Sequence, residues 1–446
     1  MSESIGSSGK GMKLHTKILL GLLVGLVLGV TVNLTVGTEN PVVERINAWV
    51  AVPLGQIFLR MLFMVVMPLV FASIALGVAG VGDIRKAGRI GGKAIGYFFA
   101  TTAVAATLGL IVVNLIQPWE RVSPETRVEL MERFAGDAAT VRTSQQQQAF
   151  GVNTFVNIVP RNPIDAAART DMLGIIFFGL AFGAALTVIP AATAKPMIVF
   201  LEALNAVVTA IIHFAMLLAP YGVAALIFTV SSRFGFDLML AVAAFVITVL
   251  VALLAHVAIT LSAIIRFLIG MSPLLFFSRV RAALVTAFST SSSSATLPTA
   301  LDVVQEQLGV PPRIAGFVLP IGSTMCMNGT AIFEGITVIF LAEIFGVDLS
   351  LGQMAAVMVM CVITAVGAAG VPGGSIPLLV GVLTMFGVPG EGIAIVLGVD
   401  RILDMSRTTV NVCGDMTAAT WVAKSEGLWS AAQIPEPGQK LVAAQP

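Results

Sequence analysis

Residues 400–415 read DRILDMSRTTVNVCGD. At about 100° per residue, Asp404, Arg407, Thr408, Asn411 and Asp415 lie at about 40°, −20°, 80°, 20° and 60° from Asp400, so the six polar residues share one helix face about 100° wide. Ile402, Leu403, Val410 and Val412 take the other side, and an apolar run, Ile393 to Leu397, precedes the stretch. Ionisable residues embedded in apolar sequence are costly, face a bundle interior, and mark substrate or ion pathways. A solvent-exposed amphipathic helix end is the competing reading. The completeness of the face and its apolar neighbours weigh against it.

The rest of the chain supplies the membrane. Of 446 residues, 57% are hydrophobic and 11% charged, whereas a soluble globular protein carries about 25% charged residues. A soluble multidomain enzyme is excluded. The formal net charge of +1 offers no basic field for nucleic acid. Three cysteines and three histidines, far apart in the chain, support no disulfide framework, metal centre or cofactor site. The composition is that of an all-α polytopic membrane protein.

A spanning helix needs about 20 mostly apolar residues. Leu14–Val36 is the first, without a cleavage site after it. Val50–Gly82, interrupted by Arg60 and Pro68, and Gly92–Ile116 follow. Further blocks are Met172–Ile189, Pro196–Val230 and Leu238–Gly270. The polar stretch Trp119–Gln148, with its Gln145–Gln148 run, reads as a solvated mobile loop. Lys10, Lys13 and Lys17 before the first span, and Arg85, Lys86, Arg89 and Lys93 before the third, place both segments in the cytoplasm. Arg266, Arg279 and Arg281 fall on the same side, and the polar loop lies outside. The first and last dozen residues are expected to be disordered.

From Phe276 to Ser425 polar and glycine clusters break the apolar runs. Two of them, Ser289–Ser294 and Gly367–Ser375, are flanked by apolar stretches about half a span long, which suggests hairpins entering and leaving on one side. Interrupted segments of this kind point to a transporter's substrate site. Extramembrane loops are the alternative.

The side chains of the 400–415 face suit a zwitterion with an extra acid. Arg407 can hold a carboxylate through two parallel hydrogen bonds. Asp404 can take an ammonium, and Thr408 and Asn411 offer neutral bonds. Asp400 and Asp415 are candidates for a bound cation or for pairing with Arg401. Ser292, Ser293 and Ser294, and the tip Gly370 to Gly374, present backbone groups at broken helix ends, which favour carboxylates at their N-termini. Gly322 to Thr330, including Thr324, reads as an unwound polar stretch. Glu334 lies one turn beyond Thr330, and burial disfavours the charged form of a carboxyl. Glu334 is thus a candidate proton carrier, with pairing to an arginine as the alternative.

In their order, Ser-Ser-Ser-Ser-Ala-Thr-Leu-Pro (Ser291 to Pro298), Met-Asn-Gly-Thr (Met327 to Thr330), Gly-Val-Pro-Gly-Gly (Gly370 to Gly374) and Asp-x-x-x-Asp-x-x-Arg-Thr-x-x-Asn-x-x-x-Asp (Asp400 to Asp415) resemble the glutamate transporter family, the dicarboxylate/amino acid:cation symporters. The similarity runs from the first span to about Lys424. It implies eight transmembrane helices plus two re-entrant helical hairpins, built from inverted repeats, in a homotrimeric elevator-type transporter of the plasma membrane with cytoplasmic termini. Residues 13–90 and 151–231 would be scaffold, and 91–118 and 236–425 the transport domain. An external loop at 119–150 and a cytoplasmic tail at 426–446 complete the division. By resemblance, Arg407 holds the substrate's side-chain carboxylate with Thr330. Asp404 takes its amine, assisted by Thr408 and Asn411. Ser293 and the Val371, Pro372, Gly373 tip surround the α-carboxylate. Where archaeal members carry a hairpin arginine this chain has Ser291, and Arg401 would replace it.

The departures concern the coupling ion. Sodium-coupled members read Asn-Met-Asp-Gly-Thr where this chain has Cys326-Met327-Asn328-Gly329-Thr330. A thiol is a poor partner for a hard cation. A tyrosine of the third-span site appears as Phe98, although Thr101 and Thr102 remain. The polar pair near the second hairpin appears as Ala365 and Ala368, while Asn411 and Asp415 are kept. Glu334 matches the glutamate proposed as proton carrier in animal members. The expected function is transport of aspartate or glutamate, sodium-independent and either proton-coupled or uncoupled. The alternative is a sodium-coupled symporter of amino acids or C4-dicarboxylates with remodelled sites. An anion channel is at most a side activity. An enzyme is not expected, because no nucleophile, base and orienting group come together elsewhere.

Overall fold

The computed structural model describes residues 12, 14–37, 40–87, 89–133, 159–168, 172–368 and 370–431. The expected disordered N-terminus, the Gln145–Gln148 run and most of the C-terminal tail lie outside them. Among the described residues the chain is helical and contains no strand.

Helix α1 (Leu14–Val36) coincides with the first expected span. The second span begins earlier than expected, at Pro41, and is divided into α2 (Val52–Phe63) and α3 (Val66–Ala87). Arg60 does not interrupt it. The break at Met64–Val65 follows from Pro68, which has no N–H to offer the Met64 carbonyl. Helix α4 (Arg89–Ile116) is the third span.

The polar stretch after it is not simply a solvated loop. Residues 118–121 form a 3₁₀ turn with Trp119 buried, and Pro124–Arg133 form helix α5. Ser123 accepts from the Thr126 N–H at 3.2 Å, and Pro124 sits at the first helical position, a recognisable helix start. Arg127 Nη2 donates to the Trp119 carbonyl at 2.6 Å, and Leu130 is buried.

Helix α6 (Met172–Val188) precedes α7, which runs unbroken from Ala191 to Ala255 where two separate spans were expected. The connecting residues 231–237 contain one glycine and no proline, so nothing stops helix propagation. A straight helix of 65 residues would reach about 98 Å, three times the membrane's hydrocarbon thickness of about 30 Å. Its two membrane-length apolar stretches are Ala191–Phe234 and, continuing through the π-helical turns, Leu238–Ile269.

Helix α1 packs parallel along α7 on a stripe of small residues. A Cβ at Gly21 would fall on the Pro220 carbonyl oxygen, one at Gly25 on that of Ala224, and one at Gly29 on Ser231 Oγ. Glycines at four-residue spacing let the two backbones approach in a medium with no hydrophobic drive between helices.

The second half holds two hairpins. Helices α8 (Pro273–Thr290) and α9 (Ser293–Glu306) turn at Ser291–Ser292. Between the hairpins, α10 (Pro312–Met325) and α11 (Asn328–Ile344) are separated by the non-helical Cys326–Met327. The second hairpin comprises α12 (Leu351–Gly367) and α13 (Ile376–Met385). Helix α14 (Asp400–Ser425) closes the bundle.

Among the described residues, six helical stretches are long and apolar enough to cross a membrane, against eight expected spans. The other two fall short for different reasons. Helix α6 has 17 residues, and α14, with 26, is rich in charge. That charge is tolerable because α14 is buried in protein on nearly every side.

Candidate substrate site

The polar face of α14 is buried along its whole length: Asp400, Asp404, Arg407, Thr408, Asn411 and Asp415. Leu403, Val410 and Val412 behind it are buried too, so the helix is a post inside the protein.

Arg407 is the centre. Its Nε and Nη2 donate to Asp404 Oδ1 at 3.1 and 2.9 Å, and Nη1 lies 3.0 Å from Asp400 Oδ1. The guanidinium carbon stands 4.2 Å over the Phe333 ring, an arrangement that favours a desolvated cation. Asp404 Oδ2 receives Arg401 Nη1 at 3.3 Å and the Gly373 N–H at 3.2 Å. Of the two roles open to Asp400 and Asp415, a bound cation or pairing with Arg401, the pairing is not formed: Arg401 bonds Asp404, and Asp400 lies against Arg407. Adjacent helical residues point about 100° apart, whereas seven residues bring Arg407 back over Asp400.

Asn411 ties α14 to the broken helix. Its Oδ1 accepts from the Gly329 N–H at 2.7 Å, and its Nδ2 donates to Thr330 Oγ1 at 3.1 Å and contacts Met327 Sδ at 3.2 Å. Gly329 has no room for a side chain, because a Cβ there would meet the Arg407 carbonyl oxygen.

Above this face the two hairpin tips meet. Ser292 Oγ donates to the Gly370 carbonyl at 2.6 Å and accepts from the Ala295 N–H, capping α9. The Ser294 N–H reaches the same carbonyl at 3.2 Å. Gly373 has φ +73°, which a side chain would strain, and this turns its N–H toward Asp404.

Beneath the tips a small cavity is lined by Ser291, Ser293, Met327, Thr330, Ala368, Gly370, Val371, Ser375, Asp404, Arg407, Thr408 and Asn411. Seven of the expected binding residues are there. Ser292 and Ser294 join the tips instead, Gly373 acts through Asp404, and Pro372 is not in the lining. Sequence reasoning overlooked Ser291 and Ser375 as lining residues; both have buried hydroxyls without a partner. Ser291 also takes a left-handed conformation, φ 51°, rare for a residue with a Cβ. Two unpartnered hydroxyls, one guanidinium and one carboxylate can receive a small anion that also carries an ammonium group.

Glu334 is fully buried on α11, and its Oε2 accepts from Thr364 Oγ1 of α12 at 2.7 Å, while Oε1 has no partner. Thr364, and not an arginine, is its hydrogen-bonding partner. No feature of the sequence marks Thr364.

The region expected to correspond to cation sites is assembled, with changed chemistry. Thr101 and Thr102 both donate to Asn328 Oδ1, at 3.3 and 2.9 Å, and Cys326 Sγ lies 3.9 Å from the same atom. Asn328 Nδ2 and Asp415 Oδ1 are buried without partners. A Cβ on Gly322 would lie 2.6 Å from Asp415 Oδ1 and 3.3 Å from the Phe98 ring. Thr324 is exposed and bonds its own helix at Ile321, so it leaves this group. Asp415 suits a cation. The Cys326 thiol and Phe98 ring supply no hard oxygen, and the Asn328 oxygen is already occupied by hydroxyl donors.

A family model for the Sodium:dicarboxylate symporter family matches residues 14–425, taking in both hairpins, the broken helix and α14. The chain belongs to that family. Relatives agree. A "Proton/sodium-glutamate symport protein" of Bacillus caldotenax is 35% identical over 378 residues, 85% of this chain and 88% of the relative. A "Proton/glutamate-aspartate symporter" of Escherichia coli K12 is 35% identical over 376 residues, 84% and 85% of the two chains. A "C4-dicarboxylate transport protein" of Bacillus subtilis is 34% identical over 376 residues, 84% and 87%. As a member of the Sodium:dicarboxylate symporter family, the chain is an integral membrane transporter and not an enzyme.

Proposed function

We propose that this protein carries acidic amino acids, aspartate or glutamate, across the plasma membrane, with protons rather than sodium as the coupling ion, or with none. The observation that carries the reading is the Arg407 fork, engaged by Asp404 beneath closed hairpin tips. A substrate carboxylate replaces Asp404 in the fork, and the freed Asp404 receives the substrate ammonium. An amino dicarboxylate satisfies both; a plain C4-dicarboxylate leaves Asp404 without a cationic partner. The name of the Escherichia coli relative agrees with this choice.

Loss of sodium coupling is supported by Cys326, Phe98 and Asn328 around Asp415. Proton coupling is supported by Glu334, which accepts a hydrogen bond from Thr364 of the second hairpin and would pass its protonation to the gate. The hairpins and residues 91–118 and 236–425 would move as the transport domain of an elevator within a homotrimer. The sodium-coupled alternative is favoured by one observation, the buried unpartnered Asp415 Oδ1.

The test is uptake of labelled aspartate and glutamate into proteoliposomes with sodium and proton gradients imposed independently. We expect less than about tenfold change in substrate affinity, roughly 1.4 kcal/mol of coupling, when choline replaces sodium. A pH dependence that Glu334→Gln flattens is expected as well. A steep cooperative sodium dependence would overturn the assignment in favour of the alternative.

A further inference from the structure

Two serines at the hairpin tips carry hydroxyls that the fold leaves unused. Ser375 stands at the N-cap position of α13, where a serine side chain ordinarily accepts a hydrogen bond from the first turn, yet it makes no such bond. Ser291 ends α8 in the left-handed conformation, φ 51°, a position that glycine fills at lower cost. Both residues are buried, Ser375 at 5% and Ser291 at 1% exposure, and neither hydroxyl has a partner. Ser292, beside Ser291, shows the ordinary use of such a residue: its Oγ accepts from the Ala295 N–H and donates to the Gly370 carbonyl. A buried hydroxyl without a partner is costly. These two line one cavity, from opposite hairpins, together with Arg407.

Of the tip groups expected around the substrate's α-carboxylate, Pro372 has no N–H to give, and the Gly373 N–H serves Asp404 Oδ2 at 3.2 Å. We infer that Ser291 and Ser375 supply the missing donors, one from each hairpin, to the substrate carboxylate that Arg407 does not take. The inference rests on the reading above, an acidic amino acid with its side-chain carboxylate in the Arg407 fork. An ionised carboxylate only accepts hydrogen bonds, and both hydroxyls can donate to it. An α-amide is a weaker, uncharged acceptor and brings two donors of its own, so it matches this pair poorly. A site whose buried polar groups need a particular partner rejects the analogue that lacks it. The two serines therefore make a free α-carboxylate a condition of tight binding, and that role accounts for a serine at a left-handed position and another at an unused cap.

The experiment measures displacement of labelled aspartate from purified full-length protein by aspartate, by isoasparagine (its α-amide) and by asparagine (its side-chain amide), normalised to the folded fraction. Binding of labelled succinate is measured in parallel. Ser375→Ala and Ser291→Gly should each weaken aspartate and asparagine by about tenfold or more, and isoasparagine by less than about threefold. Ser291→Gly relieves the left-handed turn, so its unfolding temperature should stay level or rise while binding falls; a serine with a purely structural role would not give that combination. Folded variants that bind aspartate within about threefold of the parent overturn the inference. Equal losses for all three ligands, the mark of a general disturbance of the site, overturn it too. So does a loss that spares asparagine instead of isoasparagine, because it assigns the hydroxyls to the other carboxylate. A parent that binds succinate and not aspartate fails the functional reading and this inference with it; a parent that binds aspartate while both variants lose nothing fails this inference alone.

Discussion

Replacing Arg407 separates charge from geometry at the centre of the site. The guanidinium makes two hydrogen bonds to Asp404 Oδ1, at 3.1 and 2.9 Å, and a third approach to Asp400 at 3.0 Å. A substrate carboxylate in that fork accepts two charge-assisted bonds, each worth about 1.5–3 kcal/mol. Arg407→Ala therefore weakens binding of aspartate or glutamate by about 3–6 kcal/mol, roughly 150- to 25,000-fold. Arg407→Lys keeps the charge and one bond, so its loss is about half, roughly 10- to 150-fold. Neutral amino acids never used the fork, so their binding does not fall in Arg407→Ala and can rise.

Stability must be followed in parallel. Arg407→Ala leaves Asp400 and Asp404 buried without their main partner, a change that typically costs about 3–5 kcal/mol. Equilibrium binding of labelled aspartate, glutamate and serine to detergent-purified protein, normalised to the folded fraction from thermal unfolding, gives the numbers. Folded Arg407→Ala protein that binds aspartate and glutamate within threefold of the parent would refute the role given to Arg407.

Gly329→Ala pushes a methyl group onto the Arg407 carbonyl and breaks the Gly329–Asn411 bond. The unfolding temperature should fall by several degrees and substrate binding should weaken with it. Cross-linking Ser292→Cys to Val371→Cys should seal the tips and stop substrate exchange; free equilibration in the sealed protein would remove the tips as a gate. Glu426, just beyond α14, takes Arg89 and Lys93 at 2.7 and 2.6 Å, and the Arg89 hydrogen bond is the main cause that lowers its pKa from the usual 4.5 to about 2. A carboxyl depressed on folding stabilises above its unfolded pKa and loses that contribution as pH falls through the folded one. The unfolding-temperature gap between parent and Glu426→Gln should hold at pH 5–7 and close between pH 4.5 and about 2.

The polar face of α14 was legible because helical geometry alone puts its six residues together, and burial in the protein is the only tolerable environment for them. The hairpins were legible from half-length apolar runs around Ser289–Ser294 and Gly367–Ser375. The pairing of Arg407 with Asp400 was equally available from helix geometry, seven residues apart on one face, but was not drawn from it. The α1 stripe of Gly21, Gly25 and Gly29 and the Ser123–Pro124 helix start also carried physical signals that composition obscured. Contacts such as Glu334 with Thr364, or Ser292 with Gly370, join segments 30 and 78 residues apart. No local periodicity encodes such contacts, since they depend on how α11, α12 and the first hairpin pack.

Charge balance connects the substrate site to the coupling ion. Among the described residues, Glu334, Asp400, Asp404 and Asp415 are buried carboxyls, against two buried guanidinium groups, Arg401 and Arg407. An acidic amino acid brings one further net negative charge into this space. Each uncompensated buried charge costs several kcal/mol, so on the proposed reading a proton that arrives with the substrate offsets part of that cost. Near Asp415 stand a thiol, a phenyl ring and an amide already engaged by Thr101 and Thr102, and a thiol and a ring offer a sodium ion no hard oxygen to offset its dehydration. A proton needs no coordination shell. Glu334 can receive one while Thr364 keeps the carboxyl oriented, and Oε1 has no hydrogen-bond partner within the protein. On the proposed reading, that charge count is an argument for proton coupling over uncoupled transport.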